Sequence, residues 1–248
     1  MTTTLPASNL RPPVTAHLAR HRQMMADLND FYWGVCAGFQ VLRERASNGS
    51  NRTSDFLPQA ISSRWDVAAP DVPGTLDGES QRLRYLLLVQ AVTFYEDYLG
   101  SILTEHLMSA DLPEKQVRLR VDLSTVPKGS SVLDIRPVYA KQVTDDVLKE
   151  NYATRASRLH RELGIDPAKT RPVLPLNLEQ VGAACETRNC IVHAAGVADE
   201  RAQGALVGHV ANVKVGQPLE LTEATMFVLI GALKDHVEAV DILSRVTK

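Results

Sequence analysis

The chain is poor in aromatic residues, which make up only 5% of its 248 residues, so leucine, valine and alanine must fill most of any core. It has three cysteines, Cys36, Cys185 and Cys190, and seven histidines. The cysteines have neither metal-ligand spacing nor the even count of a disulfide framework, which points to a reducing, cytoplasmic setting. Charge of one sign is also missing. A formal net charge of -2 excludes a nucleic-acid binder that works by bulk positive charge, though not one with a local arginine-lined cleft. No basic start followed by an apolar run opens the chain, so no signal peptide is expected. No apolar run approaches the roughly 18 residues of a membrane span; Tyr85 to Val92 is the longest candidate and is far too short.

The 44% of hydrophobic residues that are present follow helical periods. Residues 1–13, rich in threonine and proline, read as a flexible arm ahead of one helical domain over 14–248. Leu18, Met25, Leu28, Tyr32, Val35, Phe39 and Leu42 fall on alternating three- and four-residue steps, interrupted by His21. They predict a helix of about seven turns with one packed seam. Irregular insertions are expected near 47–80 and 110–138, the second with a short strand at Val117, Leu119 and Val121. Between them, residues 79–109 predict a long helix whose centre, Tyr85–Val92, is apolar all round and therefore buried. A polar helix over about 140–163 should stop at Gly164 and Pro167. Another follows Pro172 and Pro175, starting near Leu178 and ending at Gly196. Its stripe of Leu178, Val181, Cys185 and Val192 includes Arg188. After a loop or small hairpin at 210–221, Thr222 caps a last amphipathic helix with Phe227, Ile230, Leu233, Val237 and Val240 on its buried face. The fold class predicted is all-α, a helical bundle of about four to five main helices with long irregular loops.

The segment that carries chemistry is Glu186-Thr-Arg-Asn-Cys-Ile-Val-His193. An arginine, an amide and an imidazole within six residues of an apolar helix each demand a polar partner. Together they form a set suited to a phosphodiester: a fixed cation and a group that moves protons near neutral pH. Asn189 and His193 are four apart and share a helix face. Arg188 and His193 are five apart and point about 140° from each other, about 7.5 Å along the axis. They converge on one phosphate if the helix ends near His193 or if a second copy of the motif lies opposite. Glu96 and Asp97 interrupt an apolar helix: either they face solvent or a loop arginine, or, if buried, they need a cation such as Arg188. Glu186 falls on another face and reads as solvated. Arg155, Arg158 and Arg161 read as a charged face or as a basic strip for RNA. Cys190 reads as a small core residue. The remaining histidines, including His17 and His21, share no metal-ligand spacing.

Arg188, the polar Asn189 and His193 after three more residues, in the second-last helix of an all-α bundle, resemble the signature of the HEPN superfamily (higher eukaryotes and prokaryotes nucleotide-binding). The following Ala-Ala-Gly-Val-Ala-Asp, the downstream Val215–Thr222 and Phe94–Leu99 are similar as well. The resemblance implies a metal-independent endoribonuclease of bacterial defence or toxin systems, without cofactor or metal. It would act on RNA as a homodimer with a composite active site, with a cognate antitoxin or regulatory protein as a further class of partner. Arg188 and His193 would be catalytic: Arg188 stabilises charge on the phosphate and His193 transfers the proton as the 2′-OH attacks, with Asn189 and Glu96 in support. Ala194 stands where many relatives place a polar residue. Ala195 stands where members silenced by nucleotidylation carry a tyrosine. The alternative is a non-catalytic HEPN bundle that binds a nucleotide, RNA or a protein partner.

Overall fold

A computed structural model describes residues 14–109, 132–166 and 177–246. The arm at 1–13, the strand at 117–121 and the prolines at 167, 172 and 175 lie outside these residues. The described chain is all-α, with eight α-helices, two 3₁₀ turns and no strand. No helix among the described residues is long and apolar enough to cross a membrane.

The first helix, α1 (Ala16–Ser47), follows the seam read from its spacing. Thr15 caps it, its Oγ1 accepting from the Leu18 N–H at 3.1 Å. Leu18 and Tyr32 are buried, and so is His21, the polar interruption of the stripe. The irregular stretch after α1 contains a short helix, α2 (Gln59–Ser62). The next long helix, α3 (Val72–Ser109), begins seven residues before the predicted start at 79. Two glycines and a proline argued for a loop there. Val72 and Leu76 are sealed in the core, however, and Pro73 lies in the first turn, where its missing N–H costs nothing. Apolar burial outweighs the roughly 1 kcal/mol that each helical glycine costs.

Helix α3 is the axis of the bundle, with α1, α4 (Val132–Lys149), α6 (Leu178–Ala194) and α8 (Glu223–Val246) packed around it. Its centre is not buried on all sides as predicted. Leu87, Leu88, Ala91 and Val92 face the core, whereas Leu86 is 66% exposed. The single polar helix expected over 140–163 is two helices. Helix α4 ends at Lys149, and α5 (Tyr152–Glu162) restarts with Asn151 as its cap, the Thr154 N–H donating to Asn151 Oδ1 at 3.2 Å. Gly164, at φ +70°, ends α5 as expected. The region read as a loop or small hairpin forms no strand, and a short helix, α7 (Glu200–Leu206), precedes it. One isolated bridge, Val197 with Pro218, holds the returning chain. Thr222 caps α8 as predicted, through the Thr225 N–H at 3.1 Å.

Besides His21, two histidines sit inside this core and face each other. Tyr95 Oη lies 2.9 Å from His236 Nδ1, and His236 Nε2 lies 3.1 Å from His160 Nε2. One N–H can occupy the space between two facing imidazole nitrogens, and two cannot, so the geometry excludes a pair in which both rings are protonated. Burial pushes His160 down to about 4 and His236 to about 3, the latter also opposed by His160. The unfolded chain therefore takes up protons from about pH 6.5 downward while the folded chain does not. Stability from this pair is complete above pH 6.5 and is lost as the pH falls towards 4. Urea unfolding at pH 6 and pH 5 should differ by about 2 kcal/mol, with the lower pH less stable. Equal midpoints at the two pH values would mean that the rings are not held neutral.

Candidate functional site

Helix α6 carries the motif because its stripe buries Val181, Ala184 and Cys185 between α3 and α8. Arg188 falls on that stripe, as predicted, while Val192 does not and is largely exposed. The Arg188 side chain is 26% exposed and is held from two sides. Its Nη2 lies 3.4 Å from Glu96 Oε2 on α3, and its Nη1 donates to Asn189 Oδ1 at 3.0 Å. The structure thus places Glu96 on Arg188, the pairing expected of a buried carboxylate. Arg188 Nε is buried without a hydrogen-bond partner.

Glu96 is shared. Its other oxygen accepts from Arg155 Nη1 at 2.5 Å, and the Arg155 side chain is only 12% exposed. Arg155 is fixed in turn by the Glu150 carbonyl, 3.3 Å from Nε and 3.1 Å from Nη2. Arg158 pairs with Glu150 at 2.5 Å and approaches Glu162 at 3.9 Å. Arg161 points outward, 3.5 Å from Glu162. Neither a free basic strip nor a solvated charged face describes these three residues: the first is buried in the ion pairs of α3 and α5, the second is anchored and the third is exposed. Asp97 faces away from the site, 3.5 Å from Arg20 on α1.

His193 lies in the last turn of α6 and is exposed. With Asn189, Cys190 and Glu186 it lines a cleft of about 400 Å³ against Val197, Asp199, Arg201 and Ala202. The shared face of Asn189 and His193 is therefore realised. Arg188 is absent from this lining and turns towards α3, as the five-residue offset requires. Asn189 bonds Arg188 on one side and lines the cleft with His193 on the other.

Glu186 departs from the solvated reading. Its side chain is 15% exposed, lines the cleft and accepts from Arg201 Nη2 at 3.0 Å. Cys190 donates from Sγ to the Val197 carbonyl at 3.1 Å, and burial raises its thiol, as suits a small packing residue. Arg201 is a site residue that sequence reasoning missed, and Arg155 was named there only as part of a charged face or basic strip. The i+3 arginines of α5 were visible, but which one turns inward depends on the break at Asn151. Nothing near Arg201 marks it, because α7 was not foreseen.

Among the described residues, no group of three or more His, Cys, Asp and Glu side chains converges as a metal site. No family model matches the chain, and neither a curated protein nor a solved structure does.

Proposed function

We propose that this chain is a metal-independent endoribonuclease of HEPN type, a component of a bacterial defence or toxin system that works as a homodimer. The observation that carries the reading is Arg188, oriented by Glu96 and Asn189 while His193 stands exposed five residues further along the same helix. A guanidinium fixed in direction stabilises charge that develops on a phosphate oxygen. An exposed imidazole can accept the 2′-OH proton as that oxygen attacks the adjacent phosphorus and return a proton to the departing 5′-oxygen. The products are a 2′,3′-cyclic phosphate and a 5′-hydroxyl. Because Arg188 and His193 diverge within one copy, the reading includes a partner copy that brings the two motifs to a common cleft.

A second reading is favoured by a different observation: Arg188 is largely buried and already ion-paired within its own subunit. A non-catalytic bundle that binds a nucleotide, RNA or a protein partner would use the same pair for structure. RNA cleavage in EDTA separates the two. Wild type should cleave, and Arg188→Ala and His193→Ala should each lower the rate by at least about 100-fold while remaining folded. Cleavage that is absent in the wild type, or unaltered by both substitutions, rejects the nuclease and leaves the binding bundle.

A further inference from the structure

The cleft beside His193 has polar edges that nothing described so far uses. Arg188 has only donors, so the Asn189 atom facing it must be Oδ1, which leaves the Nδ2 amide without a partner among the described residues. Glu186 offers Oε2 to Arg201 at 3.0 Å, and its Oε1 has no partner among them. Arg201 uses only Nη2, leaving Nη1 and Nε, and its side chain is 68% exposed. Asp199 is engaged, its Oδ1 accepting from the Ala202 N–H at 2.7 Å. One amide donor, one guanidinium edge and one carboxylate acceptor thus line a single cleft of about 400 Å³, the size range of a small-molecule site.

The balance of charge narrows the ligand. Two carboxylates and one guanidinium line the cleft, so a bare phosphate has little to gain there, whereas a neutral ring with polar edges does. Guanine presents two acceptors, O6 and N7, and beside them two donors, N1–H and the N2 amine. Arg201 and Asn189 can donate to the acceptors, and Glu186 can accept from the donors. Adenine turns an N1 lone pair towards the carboxylate, and the pyrimidines offer it at most one ring N–H or one amine. The ion pair between Glu186 and Arg201 sets the carboxylate acceptor beside the guanidinium donor.

We infer that the cleft between α6 and α7 is a base-reading subsite for guanine, with Glu186, Asn189 and Arg201 as its specificity-determining residues. A guanosine seated there would carry its phosphate past His193. This last step, cleavage next to guanosine, rests on the endoribonuclease reading, and the binding of the base does not.

Titration calorimetry on the full chain with the 5′-monophosphates of guanosine, inosine, adenosine, cytidine and uridine tests it. Guanosine monophosphate should bind about tenfold or more tightly than the adenosine, cytidine and uridine forms, with inosine, which lacks the N2 amine, in between. Glu186→Gln replaces an acceptor by a donor at constant volume and should erase that preference. Arg201→Ala, at an exposed position, should weaken guanosine monophosphate about tenfold with an unchanged melting temperature. Equal affinity for all five nucleotides, no binding of any, or a preference that survives both substitutions overturns the proposal. Selective binding by a protein that cleaves no RNA would reject the nuclease and keep the subsite. Cleavage of guanine-free and guanine-containing oligonucleotides at one rate, together with equal affinity for the five nucleotides, would do the reverse.

Discussion

Replacing Glu96 with alanine should destabilise the fold by about 3 kcal/mol, the lower end of what removing one partner from a buried ion pair costs. Two guanidiniums share this carboxylate, Arg155 at 2.5 Å and Arg188 at 3.4 Å, and its loss would leave two like charges facing each other between α3, α5 and α6. The side chains of Glu96 and Arg188 keep about a quarter of their surface in water, which is why the low end of the range applies. Arg188→Ala should cost less, because Glu96 retains its shorter bond to Arg155. Removing Glu96 and Arg188 together should cost less than the sum of the two, since the repulsion disappears with the second substitution. Urea denaturation of the three variants measures this. A Glu96→Ala protein within 1 kcal/mol of wild type, or strict additivity, would show that the three groups do not act as one unit. The functional corollary follows from the same geometry. With Glu96 gone, the guanidinium is held only by Asn189 and free to follow solvent, so any activity that needs its direction should fall with it.

The helices were legible where apolar spacing was long and regular. In α1 the seam from Leu18 to Leu42 marks the packed face, and in α8 the Thr222 cap and the run from Phe227 to Val240 mark start and face together. What local pattern could not show was how tertiary packing overrides propensity. Val72 and Leu76, buried at 0% and 1% exposure, draw Pro73, Gly74 and Gly78 into a helix. Leu86 shows the opposite error: a run apolar on every side reads as buried, yet even the central helix of the bundle leaves Leu86 on an exposed flank among the described residues. The division of α4 from α5 was signalled by Asn151, whose capping power is local, but continuous polarity across 140–163 masked it.

The candidate site shows the same division. The i,i+4 relation of Asn189 and His193 and the divergence of Arg188 follow from helix geometry alone, and both are present. The pairing of Arg188 with Glu96 was legible because a carboxylate in an apolar helix must find a cation, and few are within reach. The competition of Arg155 for that carboxylate depends on the angle at which α5 leaves its cap. The joining of Glu186 to Arg201 depends on α7 folding back over α6. Both are contacts between elements whose relative placement no local spacing encodes, so both had to come from the structure.

Gly196→Ala should cost about 2–4 kcal/mol, and the size of the loss depends on one ring. Gly196 sits at φ +80°, where any side chain adds about 1 kcal/mol of strain. A Cβ built there would lie 2.8 Å from Tyr85 Cε2, inside van der Waals contact, which adds an overpacking cost of about 1–3 kcal/mol. The ring cannot simply swing aside, because the Tyr85 hydroxyl donates to the Leu219 carbonyl. Leu219 N–H donates in turn to the Gly196 carbonyl at 2.8 Å, and Ala198 N–H to the Gln217 carbonyl at 3.0 Å. Tyr85, the end of α6 and the returning strap at 216–219 are therefore one closed arrangement. If that is so, the penalty should be conditional: in a Tyr85→Ala background, Gly196→Ala should cost only the backbone strain, about 1 kcal/mol. A penalty of the same size with and without the ring would show that the conformation alone demands glycine. The coupling reaches the chemistry because His193 lies three residues before Gly196, in the turn that this arrangement terminates. A displaced strap would tilt that turn, so the variant's loss of stability and any loss of cleavage should appear together and be relieved together when the ring is removed.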